Sequence, residues 1–392
     1  MDVTCCLSRS LTIASCFKRS DYHIGQYFWF ALKTRVKSQQ TEETKAREDK
    51  KSQSEPCIIQ EVVSIPKLKS GEILGKMRMA TICKSDLHTI SGRRKKATPC
   101  ILGHEGIIEV IDHLRSDASF QRGDRLTFHI ADCCDECENC RGGLQQKCTS
   151  LLKYGHSTMT EDSQLNGCYA SHIVIHCGTH VVKIPDHVQD KMAATANCAL
   201  ATMINAVSDV LEKRSPYDTV VVIQGCGLLG IYGCVLLHEA GFCKVFCVGT
   251  NPKRLEMVPK FGGIPIVEGT HTSNGLHNNS VDVIIEVCGD SSVIPVGMKL
   301  LRAGGLYVFA GMVHPDSKLD INGEQIIQKC ITIKGIHNYG PQHLDEAVSF
   351  LSRTCDKYPY DELFSPSFKL TDFEQALEQS KQQVYFRVCV TP

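Results

Sequence analysis

The stretch TVVVIQGCGLLGIYGCVLLHEAGFCKVFCVGTNPKR, residues 219–254, decides the fold. It opens with a β-branched run, Val220 to Ile223, turns through glycines, continues as an apolar helix and returns to a second apolar strand. Gly225, Gly227 and Gly230 stand at G-x-G-x-x-G spacing. In this strand-turn-helix context the first glycine turns the chain, the second admits a pyrophosphate close to the backbone, and the third lets helix and strand touch. The free amides that open the helix, at Leu228 and Leu229, would face the phosphate charge. A tight turn without a ligand is the alternative.

A carboxylate for the adenosine ribose is expected about twenty residues further on, at the end of the second strand. Gly249 and Thr250 stand there instead, with Asn251, Lys253 and Arg254 following. Without that carboxylate a 2′-phosphate meets no repulsion, and Lys253 and Arg254 can attract one, with solvated helix surface as their alternative role, so NAD and NADP both remain open.

Outward from this unit the pattern extends in both directions. VDVIIEVCG (281–289) and GGLYVFAGM (304–312) read as further strands, with SVIPVGMKLLR (292–302) as a helix between them, which predicts a parallel doubly wound sheet. Upstream, short alternating runs such as EILGKMRMATI (72–82) and YASHIVIH (169–176), separated by turn residues, predict a small antiparallel β domain. The first long helix is predicted over 190–213. The expected organisation is an extension at 1–55, a β-rich domain at 56–205, the dinucleotide unit at 206–338, and a mixed tail at 339–392.

Composition limits the function classes. Lys plus Arg and Asp plus Glu number 43 each, so no broad cationic footprint marks a nucleic-acid or anionic-membrane partner. No run of eighteen apolar residues exists, and no membrane span is expected. Twenty-two cysteines in a chain of this length, without a secretory leader, read as free thiols of a cytoplasmic protein. Residues 1–40 are basic and serine-containing, so a mitochondrial or other organelle transit peptide is the alternative. SQQTEETKAREDKKSQSE (38–55) reads as a solvated, poorly ordered linker.

Two clusters carry chemistry. CCDECENCRGGLQQKC (133–148) places Cys134, Cys137, Cys140 and Cys148 in one short turn-rich lobe. Four thiolates so spaced suit tetrahedral zinc in a closed, structural site, with Cys133 left unassigned. In TICKSDLHTISG (81–92) and ILGHEG (101–106), Cys83 and His104 are zinc-type donors at strand-to-turn boundaries, and Cys198 opens the helix leading to the glycine turn.

With these features together the chain resembles the zinc-dependent medium-chain alcohol dehydrogenases from about residue 57 onward. The segments ATICKSDLHTISGRRK, LLKYGH, ANCALAT and GIHNYGPQHLDEAVSFL further resemble the group labelled phosphonate-catabolism-associated alcohol dehydrogenases, a label about gene neighbourhood. The resemblance implies a GroES-like β-rich catalytic domain joined to a Rossmann domain, and two Zn2+ ions per chain. It makes Cys83, His104 and Cys198 the ligands of the catalytic ion, and Glu105 a residue behind it. Ser85 and His88 become a proton relay, and Asp86 orients the ligand histidine. The implied reaction moves a hydride between an alcohol or polyol and NAD or NADP in a homo-oligomer. A catalytically silent zinc protein of the same fold is the competing reading.

Two departures from the family pattern carry expectations. Lys84 stands where glycine is usual, which predicts either backbone strain or an altered cleft charge. The first strand of the β domain is missing before PCIIQEVVSIP (56–66), so its edge is exposed or filled by SDYHIGQYFWFAL (20–32).

Overall fold

The computed structural model describes residues 27–34, 56–94, 98–116, 119–160, 163–315 and 317–392. The remainder of the basic N-terminal segment and the charged linker lie outside the described residues.

The dinucleotide unit is a six-stranded, wholly parallel sheet. Its spatial order is Ile264–Val267, Lys244–Gly249, Val220–Gln224, Val281–Glu286, Leu301–Phe309, Thr332–Gly335. Read in chain order from the first strand, that is the 3-2-1-4-5-6 arrangement, whose crevice lies at the carboxyl ends where the order reverses. Helix Leu228–Glu239 follows the first strand and is buried nearly all round, which is why its sequence shows no polar face. Two strands escaped the sequence pattern. Ile264–Val267 contains a proline and Thr332–Gly335 a lysine, and each is an edge strand, where such residues are tolerated.

The β-rich part is built on a seven-stranded sheet centred on Ile73–Ile82, which pairs antiparallel with Glu105–His113, with His172–Ile175 and with the C-terminal strand Arg387–Thr391. The last pairing brings the tail of the chain back beside the first long strand. Helix Pro341–Thr354 packs its apolar face against helix Ala201–Lys213, and one continuous core runs between the two sheets.

One open expectation is decided and another is corrected in detail. Within the extension, residues 27–34 form a strand that lies antiparallel between Pro56–Val63 and Cys100–Ile101. The edge left by the missing family strand is therefore paired, since unpaired backbone groups along a strand favour such capture. The predicted helix over 190–213 is interrupted: a short helix Asp190–Ala193 leads into a π-helical turn, Ala196–Leu200, before the regular helix Ala201–Lys213. Turns of this kind displace side chains from helical register and recur at functional sites. This one carries Cys198.

Candidate active site

Cys83 directly follows the strand Ile73–Ile82 and caps the helix Lys84–Ile90; His104 directly precedes the strand Glu105–His113. These neighbouring strands and the π-turn bring one ligand atom each from Cys83, His104, Glu105 and Cys198 within 4.8 Å of one another. Two thiols and an imidazole at such spacing fit a tetrahedral zinc ion, with metal–ligand distances of about 2.0–2.3 Å.

The surrounding contacts fix each donor. Asp86 Oδ1 lies 3.2 Å from His104 Nδ1, and both side chains are buried. Asp86 Oδ2 accepts from Cys83 N (3.1 Å) and from Tyr169 Oη (2.8 Å). With Nδ1 facing the carboxylate, His104 turns Nε2 toward the sulfurs and toward Ser85 Oγ at 3.3 Å. Burial pulls the His104 imidazole down, but Asp86 and Cys83 outweigh it and raise its pKa to about 10. The Cys83 thiol is drawn well below its usual range, first by its hydrogen bond with Cys198. A divalent cation at the centre would displace the protons these groups otherwise hold.

Glu105 lies behind the sulfurs. Its carboxylate is fully buried and accepts from Thr81 Oγ1 (2.5 Å) and, through both oxygens, from Arg387 Nε (2.7 Å) and Nη2 (2.8 Å). Arg387 Nη2 also approaches Cys83 Sγ at 3.6 Å, so a buried cation offsets the negative charge gathered there. Arg387 was missed in the sequence, although a lone arginine inside the apolar run FRVCV was a signal. Asn197 was missed as well. Its Nδ2 donates to His104 O (2.9 Å) and Phe128 O (3.1 Å), pinning the π-turn to the histidine's backbone.

A single cleft of ≈ 460 Å³ joins this pole to the glycine turn. Its walls include Cys83, Ser85, His88, His104 and Cys198 at one end, and Gly225, Gly227, Leu228, Leu229, Gly249, Thr250 and Arg254 toward the other. Ser85 and His88, three apart on one helix, share the face toward it. Gly225 has φ +125°, which L side chains rarely adopt. A Cβ on Gly227 would project into open space, whereas one on Gly230 would stand 2.0 Å from Gly225 O. Gly230 thus packs helix on strand and does not line the cleft, as the motif's mechanism requires. Glu105 does not line it either.

Lys84 is the first residue of its helix and takes ordinary backbone geometry, so no strain attends it. Its Nζ lines the cleft and donates to Cys288 O at 3.4 Å, so the departure changes charge alone. Arg254 lies over the Phe386 ring (5.2 Å) and donates to Tyr385 O at 3.3 Å. An acidic residue does line this end, from an unanticipated place: Glu268, one residue past the strand Ile264–Val267, with its backbone N donating to Gly249 O at 3.0 Å.

In the cysteine lobe, Cys134, Cys137, Cys140 and Cys148 also present sulfurs within 4.8 Å of one another. Cys134 N and Ser150 N both donate to Cys148 Sγ at 3.3 Å, the polarity expected around a thiolate. Cys133 is buried beside the cluster, 3.4 Å from Asp135 Oδ1. Among the described residues no helix is long and apolar enough to cross a membrane.

In sequence and in fold the chain is similar to known dehydrogenases. A family model described as an alcohol dehydrogenase GroES-like domain matches residues 69–186, and one described as a zinc-binding dehydrogenase matches 229–353. L-Threonine 3-dehydrogenase of Vibrio cholerae is 26% identical over 330 residues, covering 81% of this chain and 90% of its own. 5-exo-Hydroxycamphor dehydrogenase of Pseudomonas putida is 24% identical, over 79% of this chain and 89% of its own. Among solved structures, an alcohol dehydrogenase from Thermotoga maritima superposes with TM-score 0.79 at 26% identity, covering 94% of this chain and 99% of that one. The acetophenone reductase of Geotrichum candidum in complex with NAD has TM-score 0.73 at 20% identity, covering 86% and 94%.

Proposed function

Because the chain belongs to the zinc-dependent medium-chain alcohol dehydrogenase family, an oxidoreductase family acting on alcohols, we propose that it moves a hydride between a small alcohol or polyol, or the matching carbonyl compound, and NAD or NADP. The observation that carries this reading is the shared cleft: the Cys83, His104 and Cys198 donors and the glycine turn open into the same space.

A zinc ion held by those three residues would supply Lewis acidity toward the alcohol oxygen, and a nicotinamide bound along the cleft would supply the hydride acceptor. The chain's own residues do the rest. Asp86 and Asn197 hold His104 from its side chain and its backbone. Ser85 takes the hydroxyl proton and passes it toward His88, from which it leaves for solvent. Burial first, then the cations Lys84 and Arg93 and the ring of His314, lower the His88 pKa, and Cys83 opposes them. His88 is therefore neutral and able to receive a proton at pH 7. Arg254, Gly249 and Thr250 meet the adenosine end, and the four-cysteine lobe takes a second, structural zinc. Subunits pair along the exposed edge of the parallel sheet.

The two curated relatives act on different alcohols, so neither name transfers, and the phosphonate-associated resemblance supplies no substrate. The test is coenzyme reduction by metal-replete protein across a panel of small alcohols, polyols and hydroxy acids, with NAD+ and NADP+ in parallel. Turnover with two zinc ions per chain is expected. One zinc ion and no hydride transfer would overturn the proposal in favour of a silent zinc protein.

A further inference from the structure

Glu286 ends the central strand Val281–Glu286 and is wholly buried. A buried carboxylate is costly unless hydrogen-bonded, and its partners here are two glycine amides together with the Cys288 amide and thiol. Gly289 N donates to Oε1 at 2.5 Å, and Gly311 N donates to Oε2 at 3.0 Å. These glycines belong to different loops, one following Val281–Glu286 and the other following the neighbouring strand Leu301–Phe309. Both loops line the cleft, through Cys288, Gly289 and Asp290 on one side and Ala310, Gly311 and Val313 on the other.

The packing around the carboxylate leaves no slack. A Cβ on Gly311 would stand 2.5 Å from Glu286 Oε1, and one on Gly289 would stand 2.6 Å from Gly311 O. Gly289 is held at its other end too, where His314 Nε2 lies 2.9 Å from Gly289 O. The same wall meets both working ends of the cleft. Gly225 abuts Cys288, and Lys84, next to the Cys83 donor, donates to Cys288 O.

We propose that Glu286 is a positioning residue for the dinucleotide, its carboxylate tying two cofactor-facing loops into one fixed wall. It rests on the proposed use of NAD or NADP. A carboxylate suits the task because both oxygens accept; an amide offers one acceptor and turns its own N–H toward the second glycine amide. Binding to a wall already in place avoids the ordering cost that two untied loops would add.

The experiment measures equilibrium binding of NAD+ and NADP+ to the zinc-replete full chain, and then KM for cofactor and for alcohol. In E286Q the dissociation constant for the preferred coenzyme should rise about tenfold, or about 1.4 kcal/mol. The cofactor KM should follow it, with little change in alcohol KM at saturating coenzyme. E286D, which keeps the charge but shortens the reach, should lie between wild type and E286Q, and it carries the test if E286Q does not fold.

Asp282 is the control at the opposite end of the same strand, where it accepts from Val220 N (2.8 Å) and Arg302 Nε (2.6 Å) far from the cleft wall. D282N should lower thermal stability without weakening coenzyme binding. Wild-type affinity in both Glu286 variants, or an equal loss in D282N, would overturn the positioning role while leaving the proposed function intact. A wild-type chain that binds neither coenzyme would overturn both.

Discussion

At the scale of single residues, the site is a set of donors whose protonation is decided by neighbours. Replacing Cys83 by serine removes a soft donor from the three-residue set, so the zinc count should fall from two to one and turnover should vanish, with the thermal transition retained. Asp86→Asn keeps the shape but leaves one acceptor, so Nδ2–H replaces the oxygen that faced either His104 Nδ1 or Cys83 N. A loss of about ten- to hundredfold in metal affinity or activity is expected from such outer partners, measured by zinc competition with a chelator. His88 makes a prediction with a sign. Its pKa lies below 6.5, and alcohol oxidation requires the neutral ring, so kcat/KM should rise with pH through a midpoint below that value. Lys84→Met removes one of the cations that depress it and should move the midpoint upward; an acid limb that stays in place would remove His88 from the relay.

At the scale of elements, legibility followed locality. The glycine turn and the cysteine lobe each place their chemistry within sixteen residues or fewer, so local sequence pointed to them: spacing for the cysteines, spacing with the flanking strand and helix for the glycines. The π-turn was hidden because Ala196–Leu200 has the composition of an ordinary helix, and only Asn197, a poor interior helix former, hinted at another task. Arg387 was hidden differently, since its partners Glu105 and Cys83 lie 282 and 304 positions away and no local pattern links them. The lobe is a local element with a local test. Cys137→Ser should release its zinc and open residues 133–148 to proteolysis, at a cost above the ~0.5–3 kcal/mol of most substitutions, since loss of a metal site is among the causes of the larger values. Activity should fall only as far as the loosened lobe disturbs the neighbouring cleft wall, whereas a zinc count that stays at two would mean another ligand has replaced Cys137.

At the scale of the whole molecule, the parallel sheet ends on one side at Thr332–Gly335, which among the described residues pairs only with Leu301–Phe309. Its outer backbone groups form a template for another strand, and parallel sheets are seldom left bare at such an edge. Two exposed isoleucines accompany this edge: Ile333 on the strand itself is 39% exposed, and Ile327 on the preceding helix Gly323–Gln328 is 78% exposed. An isolated exposed isoleucine needs no explanation, but one on an open edge strand does. A second copy related by a two-fold axis would satisfy both the hydrogen-bonding edge and the apolar side chain on it with one self-complementary contact. The full chain should therefore sediment as a dimer or a multiple of one. Ile333→Lys, which sets a charge on the edge of each copy, should shift the mass from light scattering to that of a single chain. The cleft is built from one chain's residues, so coenzyme binding should survive in that monomer with reduced thermal stability; a wild-type chain that is monomeric at micromolar concentration would remove the edge as an interface.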